Sequence, residues 1–461
     1  SMNEAVNRLN HIASFIHDED PRLIVHSVNW FRYDPENPGM TMGWNGIEKR
    51  KDTIALTLHP LIGYYNCSDT SYMDWLLEFS KALGIDELNI DYEGGVDYPA
   101  EYNAYYQDRS WDSWFPVLLK RAEKYSMRVS VMYEPKSISG RLAIRAGRSG
   151  PVHKNDAVFT QEATAMLVSD LKLICDQFTI RKNNRGDFIS NPVYSRLAGL
   201  PVIWVFGMNA GSLTEKIWNQ AIDELHALGY AFVLIPNSYP VHQSLFDTLI
   251  QGLNPWLDQL FTGFQSYSPR LWEAAQQASG DGNYDKAREI TSLYVSEISL
   301  RGLNAVAPVR ELAGPSHFNI TPLAIGFQDA DVKGWGLRPP VFIESADRTF
   351  AEPGSLFRAY FSAAQQSKNR WFLVCSADDM AEHTNMLIPE TEHGFSGPYA
   401  IALMAAYLGK NPDIARAIEI TEEHIRKMRK GNIPEDIGII LNHAKRILPV
   451  QLKKEVGGFK Y

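Results

Sequence analysis

Residues 70–94, TSYMDWLLEFSKALGIDELNIDYEG, contain the pattern that decides the predicted fold. Apolar residues recur at helical spacing over 70–83, which predicts an amphipathic helix. Gly84 follows at the position where a glycine commonly ends a helix, because glycine adopts left-handed backbone angles without strain. The next stretch, 86–94, is a short strand-like run. A helix followed at once by a strand is one repeat of an alternating α/β chain.

The same alternation extends along the chain, which contains eight strand-like runs, nearly all followed by a helical segment. The predicted strands lie at 22–30, 86–94, 127–135, 200–207, 230–237, 257–267, 318–329 and 370–378. The predicted helices lie at 70–83, 111–126, 161–178, 213–228, 283–301, 353–367, 397–408 and 412–430, of which the last two are expected to close the chain. Alternating units joined by right-handed crossovers imply a parallel sheet. Eight of them predict an α/β fold of the (β/α)8 TIM-barrel type.

Composition narrows the class of protein. The chain has 461 residues, 45% hydrophobic and 21% charged, which is typical of a soluble protein with a large core. We expect one catalytic barrel over 21–461, including the C-terminal helices, after a helical extension at 1–20. The net charge of −9, without a basic run, counts against nucleic acid and anionic membrane surfaces as main partners.

The sequence gives no sign of a cofactor. It has no glycine-rich nucleotide motif, and its three cysteines match no metal-site spacing, so we expect neither cofactor nor metal. No apolar run approaches the roughly 18–20 residues of a membrane span. The first ten residues lack the apolar segment of a signal peptide. A secreted or periplasmic location would require a signal that has been removed, and we otherwise expect a cytoplasmic protein of undetermined oligomeric state.

In a TIM barrel the active site lies at the carboxyl ends of the strands. Most of the predicted strand ends here carry polar side chains, and four of them carry carboxylates. The residues at the eight predicted strand ends, polar and apolar together, are Asn29, Trp30, Asp91, Tyr92, Glu93, Glu134, Phe206, Gly207, Pro236, Asn237, Gln265, Ser266, Tyr267, Phe327, Gln328, Asp329, Asp378 and Asp379. Several acids that converge on one rim repel each other unless a ligand or a reaction uses them.

Carboxylates and aromatic residues at a barrel mouth favour cleavage of glycosidic bonds. That reaction needs one carboxylic acid to protonate the leaving oxygen and a second carboxylate to act as nucleophile or base. Asp379 and Glu382 are three residues apart, so a helical turn after the eighth strand would direct both side chains the same way.

Other side chains are candidates for binding a sugar. Trp30 and Trp44 in the first loop, and Tyr239 and Tyr267 after strand ends, could stack on sugar rings or pack within their loops. Asp91 and Glu93 are candidates for facing the substrate. Two candidates have alternatives of a structural kind: Glu134 could instead pair with Lys136 or Arg141, and His59 could be a core histidine.

Two other functions remain open from the residues alone. Asp379, Glu382, His383 and His393 could form the ligand set of a metal-dependent hydrolase or deacetylase, although their spacing matches no known metal motif. The chain could also be a carbohydrate-binding barrel without catalysis.

Several segments resemble glycoside hydrolases of the α-1,3-glucanase type (family 71) and the endo-α-mannosidase type (family 99). ADDMAEHTNMLIP (377–389) is similar to the family 71 stretch at the end of strand eight, and its acids have the three-residue spacing of the family 99 pair. The stretch that begins at His59, together with KYSMRVSVMYEP (124–135), GLPVIWVFG (199–207) and ITPLAIGFQD (320–329), follows in the family order. RKGNIPEDIGIILNHAKRILP (429–449) resembles the closing segment.

The resemblance implies a carbohydrate substrate and a catalytic pair formed by Asp379 and Glu382. We assign Glu382 as general acid and Asp379 as base. The resemblance also places four side chains around the substrate, which are Glu134, Asp91, His59 and Asp329.

This sequence departs from the family pattern beside the predicted catalytic pair. Ala377 and Asp378 replace a Trp-Asn pair, and His383 replaces a small residue after the glutamate. The predicted site therefore loses an aromatic side chain and gains a charge. These changes predict a sugar different from that of the two families, and Asp378 and His383 are expected to contact the group by which that sugar differs. Glu390, Glu392 and His393 are assigned to the rim or the loop rather than to the chemistry.

Overall fold

The structure is a computed structural model in which sixteen segments of the chain are described. These are residues 21–27, 60–94, 111–135, 137–145, 157–197, 199–206, 213–236, five short strands between 307 and 342, 371–375, 378–379, 384–385 and 395–457. The predicted strand at 257–267, the predicted helices at 283–301 and 353–367, and the predicted extension at 1–20 lie outside the described residues. Among the helices described, none has the length and apolar character needed to cross a membrane.

Up to residue 236 helices separate the longer strands, and beyond it the described residues form eight strands followed by three helices. The strands are β1 (Arg22–Ser27), β2 (Glu87–Tyr92), β3 (Arg128–Tyr133), β4 (Ile180–Lys182), β5 (Phe188–Ser190), β6 (Arg196–Leu197), β7 (Leu200–Val205), β8 (Val233–Pro236), β9 (Ala307–Pro308), β10 (His317–Phe318), β11 (Ile320–Ala324), β12 (Gly326–Phe327), β13 (Val341–Phe342), β14 (Trp371–Cys375), β15 (Asp378–Asp379) and β16 (Thr384–Asn385). The helices are α1 (Thr70–Ala82), α2 (Trp111–Tyr125), α3 (Ser137–Arg145), α4 (Ala157–Leu173), α5 (Glu215–Ala227), α6 (Ser396–Tyr407), α7 (Ile414–Met428) and α8 (Glu435–Gly457). A π-helical turn, Ile174–Phe178, extends α4.

The described residues divide into two units. One comprises those within Asn89–Thr262 and Asn304–Asn319, and the other those within Pro21–Leu88 and Ile320–Tyr461. The first unit contains β2 from Asn89 onward, β3, β7 and β8, which are neighbours in chain order, with Val131 opposite Ile203 and Val202 opposite Val233 in parallel pairing. The predicted parallel order of these four strands is confirmed.

In the second unit β14 lies between β11 and β1, and both pairings are parallel. Trp371 of β14 is opposite Arg22 on one side and Ile320 on the other. The last predicted strand therefore lies beside the first, which closure of a barrel requires. The described residues show a mixed α/β fold with parallel strands, while the closed (β/α)8 barrel stays a prediction because the predicted sixth strand lies outside them.

The strands that begin the alternation are buried on both faces. All six residues of β1 and of β2 are buried, and so are five of the six residues of β3. Burial on both faces is the pattern of parallel strands covered by helices, so the polar residues that alternate with apolar ones in β2, such as Asn89 and Asp91, are buried as well.

The prediction that helices 397–408 and 412–430 close the chain is wrong, because α8 follows them. Pro449 lies within α8 and Gly438 near its start, and both residue types count against a helix in a sequence. The helix is held by an apolar face, made of Ile437, Leu441, Ala444, Leu448 and Leu452. The hairpin of β4 and β5 and the short helix α3 also went unpredicted.

Gly84 ends α1 as predicted, and its replacement by alanine should lower the stability of the protein. Gly84 has φ +82°, and a Cβ there would lie 2.7 Å from the Cβ of Ala405 in α6. We expect Gly84→Ala to cost about 1–2 kcal/mol for the left-handed backbone and about 1–3 kcal/mol for overpacking, measured by urea unfolding.

Gly229→Ala is the matched control for that substitution. Gly229 follows α5 at the equivalent position with φ +88°, but a Cβ there would meet nothing within 4 Å. Gly229→Ala should therefore show the backbone cost alone. Equal losses of stability in the two variants would show that the contact with Ala405 has no energetic weight.

Candidate active site

Three carboxylates meet at the carboxyl ends of β2 and β3. Asp91, Glu93 and Glu134 each bring a carboxylate oxygen within 4.8 Å of the other two. Asp91 is 5% exposed and Glu134 is 8% exposed, while Glu93 is half-buried. We call these three residues the acidic cluster.

The backbone of the two parallel strands brings the acidic cluster together. The Glu134 N–H donates to the Tyr92 carbonyl oxygen at 2.8 Å, which holds the two strand ends level. Side chains alternate between the faces of a strand, so Asp91 and Glu93 share one face and Tyr92 takes the other. Tyr92 packs edge-on against Phe178 of the π-helical turn, with ring centroids 5.5 Å apart. The Tyr92 N–H also donates to Asp91 Oδ1 at 3.1 Å.

A second group of polar side chains adjoins the acidic cluster. Arg141 of α3 and Asp170 of α4 form a buried ion pair, in which Arg141 Nη1 donates to Asp170 Oδ1 at 3.0 Å. The Tyr133 hydroxyl donates to Asp170 Oδ2 at 2.6 Å. Burial, and then the Asp170 carboxylate, raise the pKa of Tyr133 well above its ordinary value, so the hydroxyl keeps its proton. We call Tyr133, Arg141 and Asp170 the buried triad.

The acidic cluster concentrates negative charge in a largely buried place. Three carboxylates this close repel each other, so the cluster favours a proton, a cation or several hydrogen-bond donors. Sugar hydroxyls are such donors, and carboxylates are their usual acceptors. Oxygen ligands of this kind also suit a hard divalent cation, and Asp91, Glu93 and Glu134 are the described residues that could hold one.

The described residues place five of the predicted site residues. Asp91, Glu93 and Glu134 come together as the acidic cluster. Asp378 and Asp379 form β15, which pairs antiparallel with β16: Asp378 lies opposite Asn385, and Asp379 opposite Thr384. The other predicted site residues lie outside the described part of the chain, and they are Glu382, His59, Trp30, Trp44, Tyr239, Tyr267, Asp329 and His383.

The hairpin of β15 and β16 differs from the helical turn that was predicted between Asp379 and Glu382. A helical turn after strand eight was to direct Asp379 and Glu382 the same way, but Asp379 lies in an extended ladder with Thr384. Glu382 lies in the connection between β15 and β16, which the structure does not describe. The pair therefore stays a prediction that rests on the family resemblance.

Sequence reasoning missed Asp170 and Tyr133 of the buried triad. Asp170 lies on the buried side of α4 between Leu167 and Leu171, and a lone acid among apolar helix positions was a signal for a buried partner. The partner is Arg141, which had been considered only as a possible partner of Glu134.

Comparison with known proteins finds similar solved structures but no similar sequence. No protein-family model matches the sequence, and no curated protein sequence matches it. The structure is similar to the GH99 endo-α-mannosidase from Bacteroides thetaiotaomicron in complex with BIS-TRIS-propane, at 15% identity, with 89% of this chain and 99% of that chain covered and a TM-score of 0.47. A second structure of the GH99 endo-α-mannosidase from Bacteroides thetaiotaomicron is 16% identical, with 89% and 98% covered and a TM-score of 0.46.

A third similar structure is described as a glycoside hydrolase-like protein. It is 13% identical, with 86% of this chain and 96% of that chain covered and a TM-score of 0.46. Two of the three structures are of family 99, one of the two families that the sequence resembles.

Proposed function

We propose that the chain is a glycoside hydrolase that cleaves an oligo- or polysaccharide by carboxylate acid–base catalysis. The observation that carries the proposal is the acidic cluster. Asp91, Glu93 and Glu134 meet at the carboxyl ends of two adjacent parallel strands, where α/β proteins bind their ligands. A charged rim that accepts many hydrogen bonds suits the hydroxyl groups of a sugar.

The roles of the reacting groups follow from the requirements of the reaction and from the family resemblance. Glu382 would give its proton to the leaving oxygen as the bond from that oxygen to the anomeric carbon breaks. Asp379 would take a proton from water, or from a substrate hydroxyl that attacks the anomeric carbon. In this proposal the acidic cluster holds the hydroxyls of the sugar and does not itself transfer the proton.

The remaining predicted residues would shape the substrate cleft. Trp30, Trp44, Tyr239 and Tyr267 would stack on sugar rings, because the apolar face of a pyranose suits an aromatic ring. His59 and Asp329 would accept or donate hydrogen bonds to hydroxyls. Asp378 and His383 would select the sugar, since they stand where the resembled families have other residue types.

A digestion screen read by mass spectrometry tests the proposal. Purified protein would be incubated with α-1,3-glucan, yeast mannan and a panel of other glycans, and released oligosaccharides would be detected. Activity in the presence of EDTA is the expected outcome. Activity lost with EDTA and restored by Ca²⁺, Mg²⁺ or Zn²⁺ would favour a metal-dependent hydrolase. Glycan binding without release of product would favour a carbohydrate-binding barrel.

Glu134→Gln should weaken the action of the enzyme on the glycan found in that screen. Replacing the carboxylate by a neutral amide removes a charged acceptor, whose hydrogen bonds are worth about 1.5–3 kcal/mol each. We therefore expect kcat/KM to fall by about 10–100-fold. Glu162→Gln on the exposed side of α4 makes the same chemical change away from the cluster and should leave kcat/KM unchanged. Equal activity in both variants would remove Glu134 from the site.

A further inference from the structure

The buried triad touches the chain segments that carry two members of the acidic cluster. Arg141 is 1% exposed and Asp170 is 2% exposed. Both terminal nitrogens of the Arg141 guanidinium donate to the Asp170 carboxylate, Nη1 to Oδ1 at 3.0 Å and Nη2 to Oδ2. A two-point contact of this kind fixes the orientation of both groups, which a single hydrogen bond does not.

One connection runs from the buried triad to Glu134. Tyr133 is fully buried, ends β3 and directly precedes Glu134, and its hydroxyl donates to Asp170 Oδ2 at 2.6 Å. Because successive side chains point to opposite faces of an extended chain, holding Tyr133 toward α4 directs Glu134 to the other face. The Glu134 N–H bond to Tyr92 keeps that extended geometry beyond the end of the strand.

A second connection runs from the buried triad to Glu93. Gly94 follows Glu93 with φ +99°, and a Cβ on it would lie 2.6 Å from both Arg141 Nη2 and Asp170 Oδ2. The backbone after Glu93 therefore lies against the ion pair itself. Ser137 starts α3 one helical turn before Arg141, and its hydroxyl donates to the Glu93 carbonyl oxygen. One short helix thus holds both the ion pair and the Glu93 backbone.

Stability alone gives little reason for a charged group at this place. A buried ion pair rarely contributes net stability relative to well-packed apolar residues of the same volume. Its distinctive property is directional, because the two-point contact and the bond from the Tyr133 hydroxyl each require a defined orientation of the groups.

We propose that Asp170 is a positioning residue, which acts through Tyr133 and through the segment at Gly94 to hold the carboxylates of Glu134 and Glu93 within the acidic cluster. Asp170 itself does not touch the substrate. The link to catalysis rests on the proposed glycoside hydrolase function, whereas the link to the geometry of the cluster does not.

Tyr133→Phe tests this inference, because it removes one hydroxyl and leaves the ion pair of Arg141 and Asp170 in place. The matched control is Tyr230→Phe, since the Tyr230 hydroxyl also donates to an aspartate, Asp176, at 2.8 Å, and neither residue belongs to the cluster. Each variant would be crystallised, and kcat and KM would be measured on α-1,3-glucan or yeast mannan, whichever the wild-type protein digests.

In Tyr133→Phe we expect the Glu134 carboxylate to leave its place within 4.8 Å of the other two. We also expect kcat to fall about 10–100-fold with KM changed less than about twofold, because misplacement by roughly 1 Å costs that much in rate. Tyr230→Phe should change neither the cluster nor kcat. A merely structural role for Tyr133 would lower the amount of folded enzyme and leave the kcat of the folded fraction intact.

An acidic cluster that keeps its geometry in Tyr133→Phe overturns the inference, whatever the activity. If the wild-type protein digests no glycan, the proposed function fails, and the crystal structures still decide whether Asp170 positions the cluster. Asp170→Asn keeps the size of the side chain and removes its charge. It supplies the same measurements should Tyr133→Phe yield no folded protein.

Discussion

Asp379→Asn and Glu382→Gln should each lower kcat for glycan hydrolysis by about 10²–10⁴-fold, the usual contribution of a general acid or base. The amides keep the size of the two side chains but can neither give nor take the proton that the reaction moves. KM should change little, because an interaction made only in the transition state contributes to kcat rather than to substrate binding. The rates would be measured on the glycan identified by the digestion screen.

Glu390→Gln is the matched control for those two variants. It makes the same chemical change eight residues beyond Glu382, at a residue assigned to the rim or the loop. We expect its kcat to equal that of the wild-type protein. Full activity in both Asp379→Asn and Glu382→Gln would remove the predicted pair from the reaction. The acidic cluster would then become the first place to look for the acid and the base.

Glu87→Leu should lower the free energy of unfolding by about 3–5 kcal/mol, the usual cost of removing one member of a buried ion pair. Glu87 begins β2 with 0% exposure, and its Oε2 accepts from Nη1 of Arg22, 3% exposed, at 3.2 Å. The Arg22 guanidinium also lies 4.2 Å from the ring centroid of Trp371. In Glu87→Leu the guanidinium stays buried and loses this carboxylate. Urea unfolding followed by tryptophan fluorescence measures the change.

The double variant Arg22→Met, Glu87→Leu separates the cost of removing one charge of the pair from the contribution of the whole pair to stability. Replacing both ions by apolar side chains of similar volume is often neutral or stabilising, so we expect the double variant to recover most of the loss. The two single substitutions should therefore be strongly non-additive. A double variant as unstable as the sum of the two single variants would contradict this account.

The parts of the fold that the sequence predicted are those with a local cause. The helix that ends at Gly84 and the buried run that follows it as β2 are written in consecutive residues, and both were located to within a few positions. The acidic cluster was predictable for a related reason. Once the strands are parallel neighbours, Asp91 and Glu134 must meet because both stand at carboxyl ends.

The parts that escaped prediction depend on residues far apart in the chain. Nothing near Asp170 indicates that Tyr133, 37 residues earlier, and Arg141, 29 residues earlier, will surround its carboxylate. Likewise α8 contains residue types that count against a helix, and its buried face compensates for them only once it packs in the fold. Long-range packing, rather than local preference, decides both features.

The pairing of β1 with β14 has a consequence for synthesis of the protein in a cell. Arg22 emerges from the ribosome 349 residues before Trp371, its partner in the ladder. At a synthesis rate of about 5–20 residues per second, roughly 20–70 s pass before β14 is available to cover the edge of β1. During this interval a strand that is fully buried in the finished protein presents an open edge. We therefore expect the nascent chain to be prone to wrong pairing at this edge until β14 has been made.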